Sequence, residues 1–176
     1  MTEERQVHDK VKSKGTVTIK QYDRGRLPEH WGQMAEDEKW QYLQDLEPDQ
    51  ETEQSNTTTQ GFDQYAVDCM NLADRAPTTY WTALGDDDSV TPSPTDTALN
   101  NEVYRADFTN TVDEGGAILF STYFGTQEAN GFTIREVGMF TEETDGLMLN
   151  HSLLGSSVAK DSSFALVVDI KIEFTR

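Results

Sequence analysis

Apolar and polar positions alternate most cleanly near the C-terminus. Phe164, Leu166, Val168, Ile170, Ile172 and Phe174 share one face, and Asp169, Lys171 and Glu173 share the other with Ala165 and Val167. Successive side chains of a strand point to opposite sides, so this segment predicts a long strand with one face buried. Shorter stretches of the same kind predict strands over 16–22, 79–84, 103–109, 117–124, 132–140 and 147–154. Gly115-Gly116, Gly125 to Gly131, and residues 142–146 supply the turns. Strands at this spacing with few helices between them predict a mainly β protein, an antiparallel β-sandwich with two short flanking helices.

Two segments change period. Trp31, Met34, Ala35, Tyr42 and Leu46 fall on one side of a helix expected to start near Pro28 and to stop before Pro48, with Trp40 pointing elsewhere. Phe62, Tyr65, Ala66, Cys69, Met70 and Ala73 form a second helical stripe. Cys69 on that stripe reads as a small buried hydrophobe, because no neighbouring base activates it. Residues 47–60 lack an apolar side chain except the Pro48 ring, and are expected to be a solvated connection. Residues 1–14 are charged and patternless, and are expected to form an extended flexible or docking arm. The organisation read from this is an arm over 1–14, an opening strand with a helical segment over 15–76, and a sandwich over 77–176. The last two are expected to form one folded unit.

Charge narrows the functions available. The chain has 176 residues, 14 Lys+Arg and 32 Asp+Glu, for a formal net charge of −18. Phosphate neutralisation needs clustered cations, so nucleic acid is excluded as a partner. An anionic membrane surface repels such a chain, and no apolar run approaches the ~20 residues of a spanning helix, so no membrane insertion is expected. The start MTEERQVHDK has no apolar h-region, so no secretory signal is expected. One cysteine excludes an internal disulfide framework and a Cys-based zinc site. The acid excess runs along the whole chain, beside only seven lysines. At molar salt the Debye length falls to ~3 Å and the self-repulsion disappears, so the composition points to life in brine, as in halophilic archaea and their viruses.

Candidate chemistry is sparse. His8, His30 and His151 lie in different elements and read as surface or satisfied residues rather than metal ligands. Ser157-Val158-Ala159-Lys160 fits the SxxK of serine–lysine enzymes, but it falls between strand candidates and is expected to be a turn. Asp86, Asp87 and Asp88 are weak candidates for a divalent ion; the EF-hand positions that need Gly and Glu hold Thr91 and Thr97, so an acidic solvated loop is the plainer reading. Asp96 is expected to cap a short helical turn through Leu99. Glu102, Arg105, Arg135 and Glu136 sit in or beside apolar strands, where buried charges pair, and read as a structural ion-pair network. No catalytic residue, cofactor or definite metal ligand is assigned.

An ordered set of short strings resembles a family of tailed-virus structural proteins. The strings are Ala83-Leu84-Gly85, Thr91-Pro92, Thr95-Asp96-Thr97-Ala98-Leu99, Glu102 and Arg105, then Phe120 and Phe124. Ile134-Arg135-Glu136-Val137-Gly138-Met139-Phe140 follows, similar to the family's "irE-GLF" signature, and Lys160 precedes the last strand. Upstream, Gly15-Thr16-Val17-Thr18-Ile19 and Asn56-Thr57-Thr58-Thr59-Gln60-Gly61 resemble its opening strand and the approach to a helix. Residues 27–55 are longer and more acidic than the family pattern, and Met139 stands where leucine is usual. The resemblance implies a non-enzymatic, oligomeric virion protein assembled in the host cytoplasm, at a tail tip, baseplate or fibre attachment, with a capsid-surface turret or decoration as the second location. Its partners would be other virion proteins and, in one variant, a host-surface receptor. A glycan reader would show Trp40 or Trp81 exposed in a groove; a carboxylate hydrolase would show two acids about 5–9.5 Å apart in a cleft.

The charge makes a direct prediction. Moving the protein from ~3 M to ~0.1 M salt removes screening, so circular dichroism will show progressive loss of structure. An unchanged spectrum and melting point would refute the brine reading.

Overall fold

The computed structural model describes residues 12–70 and 80–175. Its strands are β1 (Lys12–Asp23), β2 (Gln50–Thr58), β3 (Trp81–Gly85), β4 (Glu102–Asp107), β5 (Asn110–Asp113), β6 (Ala117–Phe124), β7 (Thr133–Phe140), β8 (Met148–Ala159) and β9 (Phe164–Thr175). Helices α1 (Glu36–Gln44) and α2 (Gln60–Met70) flank β2 in the chain. The protein is mainly β and antiparallel throughout, as the alternation predicts.

The strand order is β4-β3-β7-β8-β2-β1-β9-β6-β5, one curled sheet in place of the two separate sheets of a sandwich. Two hinges explain the curl. The first is β2, whose residues 50–56 pair with β1 while Thr57 and Thr58 pair with His151 and Asn150 of β8. The second joins the ends of the order. Only Phe108 and Thr109 separate β4 from β5; the Phe108 N–H donates to Tyr80 O at 2.9 Å and the Thr109 N–H to Ser121 O at 2.8 Å. A strand that changes partners part-way turns a sheet corner. The concave face buries Val17, Ile19, Leu84, Phe124, Ile134, Val137, Leu166, Val168 and Ile170, with Phe62 and Tyr65 of α2 packed against them. Across it the hydroxyls of Thr82 and Thr122 lie 2.6 Å apart, satisfying each other in an apolar interior.

Several expectations are corrected. Residues 47–60 are not a solvated connection, because Gln50–Thr58 form a strand held by backbone pairing on both sides rather than by an apolar face. Lys12–Lys14 are part of β1, paired with Thr175, Phe174 and Glu173, rather than an arm; residues 1–11 lie outside the described residues. The first helix starts at Glu36, not near Pro28: Ala35 is extended, with its N–H donated to Glu38 at 3.1 Å, and two short 3-10 turns precede it. β8 runs through Ser157 to Ala159, so no turn forms there and no helical turn unites Ser157 with Lys160. β5 had no signature of its own, with three of its four residues exposed. Ala73 and the Cys69 side chain lie outside the described residues.

The segment 24–46 covers the convex face of β9 and β6. Leu27, Trp31 and Leu43 pack with Tyr22, Tyr123, Ala165 and Val167. Trp31 meets Tyr123 edge-on at 6.0 Å and its indole N–H donates to the Tyr123 hydroxyl at 2.9 Å. Burial pushes that phenol up to about 12. Trp31→Ala empties this cover and leaves the Tyr123 hydroxyl without its donor. It is expected to cost about 3–5 kcal/mol in a urea titration, with loss of amide protection in α1. A change within error would show that the cover does not support the sheet.

Candidate functional site

The loop from Asp86 to Asn101 folds back over the convex face of β3, β7 and β8, and there it meets a buried histidine. His151 on β8 pairs with Thr57 on one side and Gly138 on the other. Its side chain is wholly buried, with Nδ1 2.7 Å from Asp96 Oδ2 and Nε2 2.9 Å from Glu136 Oε2. Glu136 is also fully buried. Its carboxylate accepts the backbone N–H of Asn100 at 3.0 Å and of Asn101 at 2.8 Å. Asp96 accepts the Ser93 N–H at 2.8 Å. Only an imidazolium donates from both ring nitrogens, so this geometry calls for the charged histidine between two carboxylates. Burial alone would lower the His151 pKa, but the hydrogen bonds to Glu136 and Asp96 outweigh it and hold the pKa above its ordinary value.

The residues around this latch make room for it. A Cβ on Gly85 would overlap the Glu136 side chain. A Cβ on Gly138 would lie 2.9 Å from Met148 Cε, 3.0 Å from Leu99 Cδ2 and 3.1 Å from Phe140 Cε2. Leu99 packs there with Ala83, Phe140 and Met148. Asn100 Nδ2 donates to the carbonyls of Asp87 at 3.3 Å and Val90 at 3.2 Å, which closes the loop on itself. Gly15 and Asn56 are likewise register partners, with the Asn56 amide lying where a Gly15 Cβ would be.

The other singled-out residues fall into place around this centre. Asp96 caps no helix; the segment 93–96 is a turn, and Asp96 is drawn to His151 instead. Glu102 and Arg105 pair as expected, at 2.8 and 2.6 Å. Arg105 also lies 3.8 Å over the Phe140 ring and donates to Glu142 O at 2.9 Å. Arg135 does not pair with Glu136; it reaches Asp88 at 3.3 Å from the β-bulge between Ile134 and Glu136. Asp86 accepts the Asn101 side-chain amide at 2.7 Å, and Asp87 accepts the Ser89 N–H at 2.8 Å, so the three neighbouring aspartates face three different partners. Among the described residues no group of three or more His, Cys, Asp or Glu side chains could hold a metal. His30 is exposed, and His8 lies outside the described residues. Lys160 is buried, donating to Asn130 Oδ1 at 3.0 Å and Asp161 O at 2.8 Å, which pins the β6–β7 turn; burial lowers its pKa.

Chemically the latch is a tie rather than a reaction centre. A catalytic histidine needs one nitrogen facing a nucleophile or substrate, and here carboxylates occupy both. Three of its contacts bind loop to sheet: His151–Asp96 and the two amides on Glu136. No family model, curated protein or solved structure matches this chain.

His151→Leu leaves Glu136 buried with two backbone donors and no counter-charge. It is expected to cost about 3–5 kcal/mol in denaturant titration, with faster hydrogen exchange at Asn100 and Asn101. The pH dependence has a definite sign. A histidine pKa raised on folding adds stability that is fully present below the unfolded value of 6.5 and is lost as pH rises through the folded pKa. The wild-type protein will therefore lose more stability than His151→Leu as pH rises above the unfolded value of 6.5. Parallel pH profiles, or a wild type that gains stability relative to the variant as pH rises, would contradict a histidine pKa raised on folding.

Proposed function

We propose that this chain is a non-enzymatic structural protein of a halophilic tailed virus, an oligomeric component of the tail tip, baseplate or fibre attachment. One observation carries the reading. Residues from three of the resembling strings meet at one loop-to-sheet latch: Asp96 and Glu136 on His151, Leu99 against Gly138, and Gly85 against Glu136. Residues that would mark a family by chemistry in a cleft here hold a loop in one shape. An assembly module needs such a fixed outer surface, because each copy must present the same contact to its neighbours.

Two further features support it. The net charge of −18 suits a surface that stays hydrated in brine. The chain ahead of β1 is charged and patternless, the composition of an arm that would add a strand to a neighbouring protein's sheet edge. No cofactor enters this mechanism. Its partners are copies of itself and other virion proteins. A capsid turret or decoration is the second location.

The test is where the protein resides. Particles purified on a density gradient are analysed by mass spectrometry and labelled with antibody against this chain. The proposal predicts a stoichiometric virion component labelled at one end of the tail. Label on the head would overturn the tail position in favour of the capsid surface. Recovery only in the soluble fraction of infected cells would overturn the virion assignment.

A further inference from the structure

A groove of about 790 Å3 runs between α1, the β4–β5 corner and the β6–β7 turn. Volumes of roughly 300–1,000 Å3 are those of small-molecule sites. The half-buried rings of Trp40, from α1, and Phe108, from the corner, line it. Gln41, Asn110, Thr126 and Gln127 add amides and a hydroxyl. We infer that this groove binds a neutral oligosaccharide, a site separate from the latch and independent of where the protein resides.

Three properties lead to that ligand class. A sugar ring offers an apolar C–H face and an equatorial set of hydroxyls, so it uses aromatic rings and amides in one site. The lining carboxylates Glu36, Asp37, Asp107 and Glu128 stand against one ammonium, Lys39, which is paired with Glu36 at 2.6 Å. That lining offers a sulfated, sialylated or uronic sugar no free cation to pair with at contact. In molar salt, with its ~3 Å Debye length, long-range attraction and repulsion are both screened, which leaves stacking and hydrogen bonding at contact; a basic peptide held by the carboxylates is the opposing arm of the test.

The floor is held in place before any ligand arrives. Trp31 is fixed by its hydrogen bond to Tyr123, and the Tyr123 N–H donates to Thr109 Oγ1 at 3.0 Å. Glu128 accepts the Gly125 N–H at 2.6 Å and the Tyr104 hydroxyl at 3.4 Å. A site with ordered walls binds without the cost of ordering them. Trp81 plays no part, because it packs with Ala83, Leu99, Phe140 and Met148.

The full chain in ~3 M KCl is titrated with mannotriose, maltotriose, cellotriose and triacetylchitotriose, and separately with a lysine-rich peptide. Saturation-transfer NMR and tryptophan fluorescence read the binding. At least one neutral trisaccharide is expected to bind saturably. Trp40→Ala is expected to weaken it at least about tenfold. Because Trp40 also packs under α1, the exposed-rim double variant Gln41→Ala with Gln127→Ala provides the second reading. It is expected to weaken binding with an unchanged melting point, while Trp81→Phe leaves binding as it was. Absence of saturable binding to every trisaccharide, binding retained in both groove variants, or binding of the peptide alone would overturn the inference. A particle experiment that fails leaves this result standing, since it is measured on the isolated protein.

Discussion

His151 has no exposed surface and a carboxylate at each ring nitrogen, a setting that favours its charged form, and the shape of a sixteen-residue loop depends on that match. Removing an ion from water costs several kcal/mol, which only close, hydrogen-bonded counter-charges offset. Asp96 and Glu136 supply them, one from the loop and one from β7. The surroundings follow from this need. Gly85 lacks a Cβ where the Glu136 side chain lies, Gly138 admits Leu99, and Asn100 and Asn101 turn their N–H groups to the remaining carboxylate lone pairs. Each feature would be costly alone and is favourable only with the others present, which is the behaviour of a cooperative polar network.

The sheet beneath provides the rigid support the latch requires. β2 joins the two halves by changing partners between Asn56 and Thr57, and the β4–β5 corner joins their far edges. His151 pairs with Thr57, so it sits beside the first of these hinges. Loop, hinge and strand are thereby tied at one point. A second buried amine, Lys160, holds the β6–β7 turn by a different means, donating to the neutral oxygens Asn130 Oδ1 and Asp161 O. Among the described residues most other acids remain on the outside, where they hydrate the surface; the buried carboxylates Glu136 and Asp169 each have a cation or an N–H donor as partner.

Much of the fold was legible because burial on one face leaves a period of two. β6 was read from Ala117 to Phe124, as found, and β9 from Phe164 to Phe174, one residue short of its end. β2 escaped because QETEQSNTT buries no apolar face and is held by backbone pairing from both sides. The helix from Pro28 was overextended because its apolar spacing is shared by the 3-10 turn Trp31–Gln33, which brings Trp31 to the same face. At the site, Asp96, Glu136, Leu99 and Gly138 were singled out, but their centre was not. His151 is 15 residues from Glu136 and 55 from Asp96, distances no local pattern spans. The available signal was a lone histidine in the apolar 147–154 strand, a position that in a buried strand demands partners.

The charge state of His151 tests the central claim most directly. Nitrogen-15 NMR of the histidine rings in high salt near pH 7 reports each ring nitrogen separately. The account predicts that both His151 nitrogens carry protons, slow to exchange, with scalar or through-space connections to Asp96 and Glu136. A single protonated nitrogen, with the other a bare acceptor, would contradict it, because the loop would then be held without the buried charge.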